Sequence, residues 1–114
     1  MTPETPIACD LTAIDDDERE RHRRATETLF RAVRGVEELD GGYAIRLPAD
    51  TEVIEHAGAF MARERLCCPF FHFTLDVRPE GGAVRLQVTG RDGVKEYIEE
   101  SLLPELEGSG PDRG

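Results

Sequence analysis

Apolar and polar positions along this chain change period several times, and each change marks an element. Ile7, Cys9 and Leu11 alternate with Ala8 and Asp10, which predicts a short half-buried strand with Cys9 on its apolar face. In "TAIDDDERERHRRATETLFRAVRG" (12–35), Ala25, Leu29, Ala32 and Val33 recur at helical spacing. Thr12 or Asp15 is placed to cap that helix, acids crowd its first turn, and Gly35 is a stop. The run "DDDERERHRR" within it reads as a solvated helix face. "VEELDGGYAIRL" (36–47) alternates again, with Tyr43, Ile45 and Leu47 inward. Asp40-Gly41-Gly42 is expected to supply the positive-φ residues of a hairpin turn.

The second helix is predicted in "ADTEVIEHAGAFMARERL" (49–66), capped by Asp50 or Thr51. Val53, Ile54, Ala57, Phe60 and Met61 form its apolar face. Glu64 lies seven residues after Ala57 and three after Met61, so a carboxylate falls on that same stripe. Pro69 disfavours helical geometry at Cys68, which ends the helix near Leu66 or Cys67. "PFFHFTLDV" (69–77) then reads as a strand. Phe71, Phe73, Leu75 and Val77 take one face, and Phe70, His72, Thr74 and Asp76 the other. "RPEGGAV" turns the chain, and "VRLQV" pairs back with Val84, Leu86 and Val88 inward. "RDGVKEYIEESLLPEL" (91–106) is a last helix limited by Pro104.

The resulting order, β-α-β-β-α-β-β-α, predicts an α+β two-layer sandwich of ferredoxin-like character. Its antiparallel sheet carries the helices on one face. At 114 residues the chain is expected to form one domain over residues 6–106, with flexible ends at 1–5 and 107–114.

Charge narrows the function classes. A formal net charge of −10 argues against non-specific nucleic-acid binding and against docking on an anionic membrane surface. No apolar run approaches the ~20 residues that span a bilayer. The N-terminal decapeptide has neither the basic nor the apolar region of a signal peptide, so a cytoplasmic protein is expected. Three cysteines cannot all pair within one chain, and in a reducing compartment Cys9, Cys67 and Cys68 are read as free thiols.

The candidate chemistry rests on those sulfurs. The Cys67-Cys68 pair sits at a helix C-terminus, where the dipole opposes thiolate formation. Arg63 and Arg65 are placed to offset that in part. A bound cation reverses the logic, because a coordinating thiol loses its proton outright. Cys9 is distant in sequence, but its inward parity lets it approach the junction and complete a three-sulfur site. Glu64, one turn before the pair, is then the carboxylate partner or proton donor, and His72, of outward parity, is a weaker ligand. Packing of all three cysteines as small hydrophobes, and redox chemistry of the vicinal dithiol, stand beside this reading. Phe70, by alternation, points away from the helix-covered face. With His72 it suggests an interaction surface, for instance for a homodimer.

The pieces "IAC" (Ile7–Cys9) and "ERLCCPFFHF" (Glu64–Phe73) give the chain a resemblance to a family of small, mostly uncharacterised bacterial and archaeal proteins. These carry an opening I-A-C strand and a helix ending E-R-x-C-C-x-F before an aromatic strand. Such domains look similar to ones found beside, or fused to, regulators of the mercury-responsive type. The resemblance implies a thiophilic-metal role and nominates Cys9, Cys67, Cys68 and Glu64. A DNA-binding helix-turn-helix is missing here, so it implies no transcription function. The expected function is therefore binding of a soft metal or metalloid ion, with no catalytic residue assigned. A dithiol redox protein and a non-enzymatic interaction module are the alternatives.

Overall fold

The computed structural model describes residues 6–109. The ends expected to be frayed, 1–5 and 110–114, lie outside the described residues. In chain order the elements are a 3₁₀ turn (Leu11–Ala13), α1 (Asp16–Arg31), β1 (Gly35–Leu39), β2 (Gly42–Leu47), α2 (Thr51–Cys67), β3 (His72–Val77) and β4 (Val84–Thr89). A final helical stretch follows, made of α3 (Val94–Tyr97), a π-helical turn (Ile98–Leu102) and α4 (Leu103–Ser109).

The four strands form one sheet in the order β1-β2-β4-β3, with every neighbouring pair antiparallel. β2 and β3 are therefore parallel to each other with β4 inserted between them, and α2 is their crossover. This split β-α-β unit is the ferredoxin-like element of the predicted two-layer α+β sandwich, which the structure shows. On the core face Tyr43, Ile45 and Leu47 line up with Val88, Leu86 and Val84, and these in turn with Phe73, Leu75 and Val77. On the other face Arg85 reaches across to Glu37 at 2.6 Å. The core is filled from the sheet by Ile45, Leu86 and Val88, and from the helices by Leu29, Phe30, Ala57 and Phe60, all 2 % exposed or less.

The predicted first strand is absent. Residues 7–11 run as an irregular segment into the 3₁₀ turn, capped by the Asp10 carboxylate on the Thr12 amide. Arg19 explains why the segment stays irregular. Its Nε–H donates to the carbonyls of Leu11 and Ile14 at 2.9 and 3.0 Å, so that the Leu11 acceptor at the end of the expected strand is satisfied locally as the chain turns into the 3₁₀ segment.

The two hairpins divide the work of glycine differently from expectation. Neither Gly41 nor Gly42 adopts a positive φ. Gly42 is needed for close approach instead, because a Cβ there would lie 2.0 Å from the Val88 carbonyl oxygen. Left-handed residues make the β3–β4 turn, with Glu80 at φ 59° and Gly81 at φ 72°. These are the two central positions of a hairpin turn closed by the Gly82 amide on the Pro79 carbonyl at 3.1 Å.

Nor does Pro104 end the last helix. A proline inside an α-helix clashes with the carbonyl four residues back and removes a donor. The chain widens into a π turn over Ile98–Leu102 just before the proline, and helical geometry resumes through Ser109.

Phe70 does not point out of the sheet. Regular pairing begins only at His72, so the alternation that would expose Phe70 does not extend to it. Phe70 is buried, edge-on to Phe71 and Tyr97 at 4.9 and 5.3 Å between ring centroids. The outward position at the start of β3 is left to His72, which is exposed.

Candidate metal centre

Three segments converge at the C-terminal end of α2. Cys67 is the last residue of α2 and Cys68 its cap, with the Cys68 amide on the Glu64 carbonyl at 2.8 Å and the Phe71 amide on the Cys68 carbonyl at 3.1 Å. Those two bonds fold the chain back on itself. They bring the adjacent sulfurs to the same side, 3.8 Å apart, where neighbours in a strand would diverge. Both cysteines are buried, at 0 and 1 % exposure.

Cys9 reaches the junction by a different route from the one its parity suggested. The Asp10 amide donates to the Cys67 carbonyl at 2.9 Å and pins the irregular N-terminal segment against the end of α2. Cys9 is exposed as a residue, yet the sulfurs of Cys9, Cys67 and Cys68 all lie within 4.8 Å of one another.

The third segment is α1. His22 Nε2 lies 2.7 Å from Glu64 Oε1 and donates its proton to that carboxylate. The ring stacks on Phe60 at 5.7 Å and is 6 % exposed, and its other nitrogen, Nδ1, is buried with no hydrogen-bond partner among the described residues. Glu64 is shared. The Cys67 thiol donates to its Oε1 at 3.6 Å and the Cys68 thiol to its Oε2 at 3.8 Å. His22, Glu64 and Cys67 thus make a second close-set group, with ligand atoms also within 4.8 Å of one another.

The electrostatics favour a cation. The negative end of the α2 dipole, Glu64 and three ionisable sulfurs face one small volume. Arg63, expected to relieve this, is turned away and pairs with Glu18 on α1 at 2.7 Å. The thiols respond unequally. The hydrogen bond from Cys68 lowers the Cys67 pKa, so Cys67 is the sulfur that ionises first. Cys68 is raised by making that bond, by burial and by the neighbouring carboxylate. Burial and the bond to Cys67 push Cys9 up to about 12. Around the cluster, burial and then the charges of Cys68 and Cys9 raise Tyr97 to about 12. Glu105 is raised by burial and then by Glu64.

The donor set fits a soft ion. Four-coordinate metal–sulfur bonds of about 2.3 Å place two sulfurs about 3.8 Å apart, which is the Cys67–Cys68 separation. His72 belongs to neither close-set group and lies on the far side of the sheet from the core. His22 was given no role in the sequence, because it sits inside the charge run. A signal was present all the same. His22 precedes Ala25 by three residues and Leu29 by seven, on the stripe that faces α2.

The chain matches no family model, no curated protein and no solved structure. Among the described residues no helix is long and apolar enough to cross a membrane.

Proposed function

We propose that the protein binds a thiophilic metal or metalloid ion through the thiolates of Cys9, Cys67 and Cys68, with Glu64 as carboxylate partner and His22 orienting Glu64. The observation that carries this is the convergence of Cys9 on the Cys67-Cys68 pair across 58 residues of sequence. It brings three sulfurs within 4.8 Å inside a volume already rich in negative charge. Thiolate ligands select soft ions such as Cu(I) and Zn(II), and by the same chemistry Hg(II) and As(III). Binding would replace the thiol protons with the ion, and that substitution offsets the unfavourable helix end.

Titration of the reduced protein with arsenite, Hg(II), Cu(I) and Zn(II) tests the reading, followed by native mass spectrometry and by sulfur-to-metal charge-transfer absorbance. One ion per chain, lost in Cys9→Ser, is expected. No stoichiometric complex with any of the four would overturn it.

A second reading is favoured by the Cys67 thiol alone. Its lowered pKa and the 3.8 Å distance to Cys68 suit a dithiol that peroxide oxidises to a disulfide. Counting free thiols before and after mild peroxide separates the two. Loss of a pair of thiols supports redox chemistry, and unchanged thiols remove it.

A further inference from the structure

A bare ion held by three sulfurs needs no more room than the sulfurs enclose. This centre opens onto a groove of about 700 Å³, walled by α1, the 3₁₀ turn and the last helical stretch. That is within the ~300–1,000 Å³ range of small-molecule sites. Cys9, His22 and Glu64 are part of its lining, and Leu11, Phe30, Phe60 and Leu102 give it apolar walls.

Its charges are already spoken for. Arg19 is held by Asp16 at 2.8 Å and by the Leu11 and Ile14 carbonyls. Arg23 lies between Glu20 at 2.7 Å and Glu27 at 3.1 Å. Neither groove arginine is left for an anionic ligand, and the carboxylates of Glu64 and Glu105 in its lining repel one. What fits is an uncharged, largely apolar group joined to a thiophilic centre.

Resting on the ion-binding reading above, we infer that the preferred ligand is a trivalent arsenical bearing one aryl or alkyl substituent. Two of the three thiolates, Cys9 among them, hold the arsenic, and the substituent lies in the groove. Arsenic(III) with one carbon substituent has two valences left, so it takes two sulfurs and directs its organic arm away from them. The step balances without redox change. R–As(OH)₂ and two thiols give R–As(S-Cys)₂ and two waters. Two As–S bonds form, two As–O bonds break, and each thiol proton leaves with a hydroxide.

Leu11 and Thr26 test the groove without touching the ligands. Leu11 is 54 % exposed on the wall, so Leu11→Glu leaves the core intact. Thr26 is a half-buried wall residue on α1, and Thr26→Trp fills the space. The probes are phenylarsine oxide and arsenite, read by calorimetry and native mass spectrometry on the reduced protein. Each variant is expected to weaken phenylarsine oxide about tenfold, the scale of losing one apolar contact or more from a pocket, while arsenite is unchanged. Arsenite binding with phenylarsine oxide unaffected by both variants overturns the groove assignment and leaves the ion-binding reading standing. Failure of both probes to bind the wild-type protein overturns the arsenical assignment, and the ion-binding reading falls with it only if Hg(II), Cu(I) and Zn(II) also give no complex. A misfolded Thr26→Trp leaves the decision to Leu11→Glu.

Discussion

Two pairs tie α1 to α2 through residues one turn apart on α1, Glu18 and His22, and their surroundings differ. Glu18 meets the Arg63 guanidinium at 2.7 Å, with both side chains partly in solvent. Glu64 meets His22 at the same distance, but the pair is almost enclosed, with side-chain exposures of 8 and 14 %. The first pair is complete. The Arg63 fork is occupied by Glu18 and the Ala59 carbonyl, and Glu18 takes a second guanidinium, that of Arg21, at 3.3 Å. The second has capacity to spare. Glu64 also accepts from two thiols, and His22 keeps a buried nitrogen without a partner. Surface pairs of the first kind contribute little to stability. A buried pair leaning on ionisable sulfurs is the arrangement that functional sites use.

The sharpest way to break this comparison is to remove the residue common to both close-set groups. Cys67→Ser is expected to lower affinity for arsenite or Hg(II) by more than about 100-fold, beyond the 10–100-fold typical of losing an outer-shell partner. Arg63→Ala is expected to leave it unchanged. Competition against a chromophoric chelator measures both. Equal losses in the two variants would mean that the Glu64 side of the interface has no special role.

Stability should separate the two carboxylates in the same way. Glu64→Ala strands the His22 ring without its hydrogen-bond partner among the described residues, and an unsatisfied buried polar group costs about 1–3 kcal/mol. Glu18→Ala should cost about 0–1 kcal/mol, as exposed pairs do. Urea unfolding of the reduced apo-proteins provides the values, and a Glu18 loss as large as that of Glu64 would reverse the assignment. A smaller effect is expected from His22→Phe. It keeps an aromatic ring against Phe60 but frees Glu64, and should weaken ion binding about tenfold as the loss of an orienting partner does.

The comparison also shows what the sequence could disclose. Helical spacing put Glu64 on the apolar stripe of α2, and the structure places it there beside the sulfurs. The same spacing puts His22 on the stripe of α1, but the charges around it draw the eye to a solvated face. Periodicity is a property of position, and a polar run of ten residues still has an inner side. Both hairpins, α1, α2 and the two-layer plan were legible because their periods are regular. The first strand was not, because five alternating residues fit a strand and an irregular segment equally well. The Arg19 bonds to Leu11 and Ile14 that favour the second are invisible to local pattern. Cys9 therefore reached the site as expected, by an unexpected path. The path of Phe70 failed for a related reason, since alternation counts only where strand pairing has begun.

The smallest effect expected is in alkaline solution, and it belongs to one side of the interface only. Cys9 is raised from 9.0 and Tyr97 from 10.0, each to about 12. A group whose folded pKa lies above its unfolded one binds its proton more tightly when folded. Its contribution to stability is whole below the unfolded value and is lost as the pH rises through the folded one. The loss should therefore run from about pH 9 to about pH 12. Cys67 is lowered and acts in the opposite sense. Its contribution is present above its unfolded pKa and falls away as the pH drops through the folded one, so it offsets part of the alkaline loss. Melting temperatures of the reduced apo-protein at pH 8 and pH 11 should thus fall together in the wild type and Glu18→Ala, and less steeply in Tyr97→Phe. A Tyr97→Phe slope equal to that of the wild type would remove the tyrosine from the site's electrostatics. It would leave the alkaline sensitivity to the sulfurs, whose ionisation is followed separately by thiolate absorbance.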